Sequence, residues 1–318
     1  MAAIVADLRF VTGESRAVEK LYYMELTADL DAACDGLRLR FCSENEPDEI
    51  SGVTLFIDGK KVFCGLCDRQ EFTRDKNGSR VFVYARSNAA LLVDNEAAPA
   101  TYVSPSTNVL FKSEAKRFGF KNRLPHLVCE HEYSVVKGTS CYGAINRFVK
   151  TMTQTPVRVN CENELVLPAS SEVADLDGAD VIRFKKCINR AAPITKIDYK
   201  ISADTPYIRH VKSRMCEENG IVRTRKQNIS SLPEWQRQYT LTDLLQSAAK
   251  EYYTAEAVIN GCRFFELNSS LCYRAGGILP QSDYRLNRLV LTYDENGENT
   301  KLVFLKTNDL KEVTYVAE

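Results

Sequence analysis

Eleven cysteines and three histidines are the residues of this chain best suited to metal or nucleophilic chemistry. Cys64-Gly65-Leu66-Cys67 is a CxxC pair, a spacing that suits zinc ligation or thiol–disulfide exchange. His126, Cys129 and His131 lie close together and offer further ligands. Cys64, Cys67, Cys129 and His131 are therefore the set to weigh as a zinc site. The spacing argues against it. Residues three apart on a strand point to opposite faces, so the two sulfurs converge only if Gly65 makes a knuckle. A redox CxxC belongs beside a βαβ pattern, and this one lies among strands. On a strand, Cys129 and His131 share a face that His126 does not. Packed thiols are the expected state, and no metal ligand is assigned.

The other candidates are equally loose. Cys141 stands at a helix start, with His126 and His131 nearby in sequence, so a Cys–His nucleophile is conceivable. A packed cysteine is the simpler reading. Glu130 and Glu132 flank His131 and would share a strand face, but a solvated face explains them as well. Lys137-Gly138-Thr139-Ser140 has its lysine before the glycine and lacks the upstream glycine of a phosphate loop. It reads as a turn and helix cap. The chain has no GxSxG, HExxH, P-loop or GxGxxG motif. Arg223, Arg225 and Lys226 form a local basic cluster, read as an exposed loop that could also meet an acidic partner. No catalytic residue, cofactor-binding residue or cofactor is assigned, and the chain is expected not to be an enzyme.

The elements around these residues are mostly strands. Tyr22, Met24 and Leu26 alternate with Tyr23, Glu25 and Thr27, and Leu37, Leu39 and Phe41 alternate with Arg38 and Arg40. Val53–Ile57, Asp58-Gly59 and Lys60–Phe63 read as a tight hairpin. Phe72–Arg74, the turn Asp75-Lys76-Asn77-Gly78 and Val81–Tyr84 read as a second. Near Ala97 the character changes. Ser106 or Thr107 caps a short helix that Gly119 closes, Glu132–Val136 is a strand, and Ala144, Ile145, Phe148, Val149 and Met152 give a second helix an apolar face. Val157–Val159 and Glu164–Leu167 close that unit as a hairpin. Strands return at Asp180–Phe184, Ile194–Ile201 and Ile208–Lys212. The longest helix is expected to open at Thr242, and Cys262–Glu266, Arg285–Tyr293 and Lys301–Leu305 are the last expected strands. The expected fold class is α+β, mainly β, with boundaries at 1–102, 103–172 and 173–318.

Composition narrows the function. The chain has 318 residues, 42 Lys+Arg and 42 Asp+Glu, so its formal charge is zero. A dedicated nucleic-acid binder carries a basic excess, and this balance favours protein partners instead. No run of 18 apolar residues suggests a membrane span, and the start does not read as a signal peptide. The cysteines are odd in number and scattered, unlike a secreted disulfide scaffold.

One stretch carries a resemblance. Val83-Tyr84-Ala85-Arg86-Ser87-Asn88-Ala89-Ala90-Leu91-Leu92-Val93-Asp94-Asn95-Glu96-Ala97 is followed by Pro99, Tyr102 and Ser104. It resembles a segment of the baseplate hub proteins of contractile phage tails and phage-tail-like bacteriocins. There a strand carries a G/A-R-S turn, then a short helix ending in leucine, aspartate and a small polar residue. Ala85 stands where the family often has glycine. Phe118-Gly119-Phe120, the run from Tyr133 to Tyr142, and Pro156-Val157-Arg158-Val159 through Leu165 are similar to the next unit of that family. The resemblance spans roughly residues 20–170 and rests on layout beyond Asp175.

The resemblance implies two tail-tube-like β-barrel domains with an inserted small α/β domain. It implies a homotrimer whose six tube-like domains match a sixfold tail tube above and a threefold central spike below. The implied partners are the tail tube protein, the central spike protein and wedge or peripheral baseplate proteins. Assembly would take place in a bacterial cytoplasm, before release in a virion or tail-like particle. Two other classes compete. A tail-associated cell-wall-degrading enzyme needs a carboxylate pair or Cys/His site. A tube or spike component of a related secretion system should be a single barrel, or carry an OB-type barrel and a β-helix.

Overall fold

The computed structural model describes residues 2–76, 78–168, 171–279 and 282–307, together with the backbone of Val313–Val316. Strand makes up 46% and helix 17%, so the chain is mainly β. The first segment holds β1 (Ile4–Phe10), β2 (Ser15–Val18), β3 (Leu21–Asp29), β4 (Gly36–Cys42), β5 (Ile50–Ile57), β6 (Lys60–Asp75) and β7 (Gly78–Ser87). Next come α1 (Ala90–Val93), β8 (Ala100–Tyr102), α2 (Thr107–Glu114), β9 (Lys121–Asn122), β10 (Tyr133–Val135), α3 (Cys141–Thr153), β11 (Arg158–Val159) and β12 (Glu164–Val166). The rest holds β13 (Val173–Asp175), β14 (Val181–Ile188), β15 (Lys196–Lys200), β16 (Arg209–Ser213), α4 (Arg214–Glu218), β17 (Thr224–Asn228) and α5 (Glu234–Ala249). It ends with β18 (Tyr253–Asn260), β19 (Ser270–Cys272), β20 (Tyr284–Asp294), β21 (Gly297–Lys306) and β22 (Val313–Val316).

Strand β4 shows why the sheet forms. Leu37, Leu39 and Phe41 are buried while Arg38, Arg40 and Cys42 face water, as the alternation predicts. Each fully buried leucine of this kind contributes about 1.5–3 kcal/mol. Strand β3 departs from its simple alternation. A bulge between Leu21 and Tyr23 inserts one residue, so Tyr22 is exposed rather than packed beside Met24 and Leu26. The β5–β6 turn is built as expected. Asp58 and Gly59 both take positive φ, at 50° and 77°, which matches the twist of the flanking strands. The β6–β7 hairpin also forms, with Asp75 opposite Gly78, while Asn77 of its turn lies outside the described residues.

The large sheet runs β14-β18-β21-β20-β3-β4-β7-β6-β5-β1-β2, with β13 and β19 attached beside β20. The two expected barrels therefore do not close on themselves in the described residues. The free edge of β3 is taken by β20 over six register pairs, Arg288↔Asp29 to Tyr293↔Met24. The hydrogen-bonding need of each segment is met by the other segment. One apolar core follows from this, joining Leu37, Leu39 and Val83 to Leu289, Leu302 and Phe304.

The α/β unit has its own core of Leu110, Tyr133, Ile145, Phe148 and Leu165 among others. Ser106 caps α2 and Ser140 caps α3, each accepting from the backbone N–H three residues on. Gly119 closes the following 3-10 turn at φ 81°.

A further unit is formed mostly by the chain between β14 and β18, joined by β22. Strands β15, β16, β17 and β22 form a four-stranded sheet, and α5 packs Leu241 and Leu245 on its Ile197 and Val211 face. Helix α5 begins at Glu234, not at Thr242. Its first turns carry no apolar stripe, because Leu241, Leu245 and Ala249 are its only buried residues. Residues 262–266, expected as a strand, are irregular, and the strand before them is Tyr253–Asn260. Among the described residues no helix is long and apolar enough to cross a membrane.

Candidate functional site and assembly surfaces

Among the described residues, the candidates singled out from the sequence are not gathered into one site. Among the described residues no three of Cys64, Cys67, Cys129 and His131 lie within ligand distance of one another. Cys64 sits opposite Thr54 and receives a contact from Asn88 Nδ2 at 3.4 Å. Cys67 sits opposite Ala85, and burial raises its thiol pKa. Gly65 is no knuckle but a strand residue squeezed between neighbours. A Cβ there would lie 2.1 Å from the Arg86 carbonyl oxygen. Cys129 is buried in the α/β core. Exposed His131 stacks on Trp235 of α5, with centroids 5.7 Å apart.

Cys141 opens α3 fully buried, with Arg117 Nη2 3.4 Å from its sulfur. Burial pushes its thiol up, the opposite of what an activated nucleophile needs. His126, Glu130 and Glu132 are exposed and lie outside any strand, so the two glutamates do not form a strand-face pair. The Lys137–Ser140 run is a turn, with Gly138 at φ 84° and Ser140 as the cap of α3. The basic cluster is not a loop. Arg225 and Lys226 lie on β17, and Arg223 donates to the Pro193 carbonyl at 2.8 Å.

The sequence stretch from Val83 to Ala97 instead forms a structural joint between elements. Arg86 leaves the outer side of β7 and bridges two carboxylates. It reaches Asp68 Oδ2 at 2.5 Å and Asp94 Oδ2 at 2.7 Å, which ties β6 to the end of α1. The guanidinium holds the Asp94 carboxyl below its usual pKa. Ser87 exchanges two hydrogen bonds with Asp35, and Asn88 Nδ2 donates to Asn163 Oδ1 at 2.7 Å.

Arg158 of β11 completes the joint. It is buried, pairs with Asp35, and donates to the Asp29 and Ala32 carbonyls at 2.7 and 2.5 Å. Burial pushes the Asp35 carboxyl up, and Arg158 opposes that shift. Lys61–Glu162 adds a peripheral pair at 2.5 Å. On the other side, Lys150 of α3 meets Asp243 of α5 at 2.7 Å. The α/β unit is thus fastened to the large sheet and to α5.

Two surfaces remain open for partners. Among the described residues the large sheet ends at β2 and β14, each paired there on one side only. β14 is the longer, and its Ile182 and Ile188 are 59% and 61% exposed. Exposed strand edges with apolar side chains are pairing templates. On the outer side of β3, β4 and β7, Arg40 lies over Tyr23 and Phe82, beside a cleft of about 330 Å³ lined by Tyr22, Glu71 and Arg80.

No family model matches the sequence, and no curated protein matches it. Solved structures do match the fold. A 43 kDa tail protein of prophage MuSo2 from Shewanella oneidensis superimposes with a TM-score of 0.79 at 16% identity, covering 98% of this chain and 99% of that one. A tail protein from Neisseria meningitidis gives 0.71 at 12% identity over 96% of each chain. The E. coli c3393 protein is described as a type VI secretion component similar to the T4 phage tail proteins gp27 and gp5. It gives 0.56 at 8% identity, covering 94% of this chain and 76% of that one. The chain has the fold of phage tail proteins, a fold shared with a component of the type VI secretion system.

Proposed function

We propose that this chain is the structural hub of a contractile-tail baseplate. The end-to-end fold match to the 43 kDa prophage tail protein carries the reading, because it spans the β segments and the α/β unit together. In this reading the chain is non-enzymatic. Residues 1–102 and 173–318 act as two tube-like halves, and residues 103–172 are the inserted unit. Three copies present six such halves to a sixfold tube and threefold symmetry to a central spike. Contacts around the ring are head-to-tail and close after three chains. The open β2 and β14 edges support this arrangement, since a ring of chains would cover them. Tube, spike and wedge proteins are the partners, and the particle forms in a bacterial cytoplasm before release.

A second reading is favoured by the c3393 match: the same adaptor role in the spike of a secretion system. Light scattering on the purified chain, alone and with the spike protein of its own particle, tests the hub reading. A trimer, alone or on adding spike, is expected. A monomer that ignores the spike would overturn it.

A further inference from the structure

The four-stranded sheet has one face covered by α5 and the other, among the described residues, open. Register places Lys196, Lys212 and Thr224 side by side on the open face, then Asp198, His210 and Lys226, then Lys200 beside Asn228. Like charges directly opposite each other on a sheet are destabilising, so folding alone does not favour Lys196 next to Lys212. Two of the four lysines are answered within the chain. Lys196 meets Asp198 at 2.9 Å and Lys212 meets Glu217 at 3.1 Å.

Lys200 and Lys226 have no carboxylate partner among the described residues. Lys200 Nζ donates to the Ala203 carbonyl at 2.7 Å, and both ammonium groups lie against the ring of Tyr207, at 5.4 and 5.6 Å from its centroid. The ring is 37% exposed. Two cations gathered on one partly exposed ring make a local positive patch.

We propose that Lys200, Lys226 and Tyr207 form a docking site for an acidic segment of a partner protein, with carboxylates seated on the two lysines. The same face already holds carboxylates at its other two lysines, at ordinary ion-pair distances. The zero net charge of the chain gives no long-range pull on any polyanion, so the attraction is local and suits a short segment. This site is independent of the hub reading.

The test is fluorescence anisotropy of the full chain with a labelled poly-glutamate peptide, beside a single-stranded oligonucleotide of equal length. The peptide is expected to bind, more weakly at high salt. Lys200→Glu with Lys226→Glu is expected to weaken it by about fivefold to tenfold. Lys226→Gln alone removes one of the two proposed charges and is expected to cost about twofold to threefold. Lys20→Glu with Lys185→Glu makes the same charge change on other exposed lysines and is expected to leave affinity within about twofold. The proposal is overturned by absent peptide binding, by equal loss in the control, by no loss in either Lys226 variant, or by tighter, Lys226-dependent binding of the oligonucleotide.

Discussion

Arg86 and Arg158 both hold carboxylates, but their surroundings give them different weight. Arg86 and its partners are half-exposed, so water screens much of the attraction. Arg158 and Asp35 are largely withdrawn from water, and two backbone carbonyls depend on the same guanidinium. Removing one member leaves the other buried and unpaired. Arg158→Met is expected to cost about 3–5 kcal/mol in urea unfolding. Asp35→Asn combined with Arg158→Met should cost less than the two single losses added, because the second change removes the stranded charge. A loss below about 1 kcal/mol for the single variant would show that the joint is held by apolar packing instead. Nothing in the sequence marks this pair. The two residues are 123 positions apart, and Arg158 reads there only as one residue of a short hairpin.

Elements were legible where one rule governed them. The Asp58-Gly59 turn and the Ser140 cap follow from local backbone chemistry, and both are where those residues predict. The bulge at Tyr22 and the start of α5 at Glu234 follow from register and packing, which no local pattern reports. Gly65 shows the same limit. In sequence it is the middle of a CxxC, and in the fold it is the only residue type that clears the Arg86 carbonyl. Gly65→Ala is expected to cost at least about 1–3 kcal/mol, because backbone rather than a flexible side chain blocks the new methyl. Gly178 has open space and no positive φ, so Gly178→Ala should be neutral or stabilising by up to about 1 kcal/mol. Thermal unfolding of the two variants side by side decides the point. Equal stability would mean that β6 shifts away from β7 without strain.

At the scale of the whole molecule the open sheet is the feature on which the proposed ring assembly depends. A long edge with exposed isoleucines is costly to leave in water and prone to unwanted pairing, and a closed ring of chains would cover it. Ile182→Glu with Ile188→Glu places charge on that edge without touching the buried core. The expected result is an unchanged melting temperature and a lower mass by light scattering under conditions where the unmodified chain is trimeric. A trimer that survives this change would move the ring contact away from β14.

The sequence by itself determined the mainly β character, the tight turns and the helix caps. These depend on residues within a few positions of each other. It also carried the tail-protein resemblance in the Val83–Ala97 stretch, now matched by the fold of the prophage tail protein. Only the tertiary structure decided that the two β segments share one sheet, and that β15, β16 and β17 leave it to form a second. Strand pairing satisfies backbone groups that are chemically identical in every residue, so the choice of neighbour is fixed by how distant apolar faces close over one core.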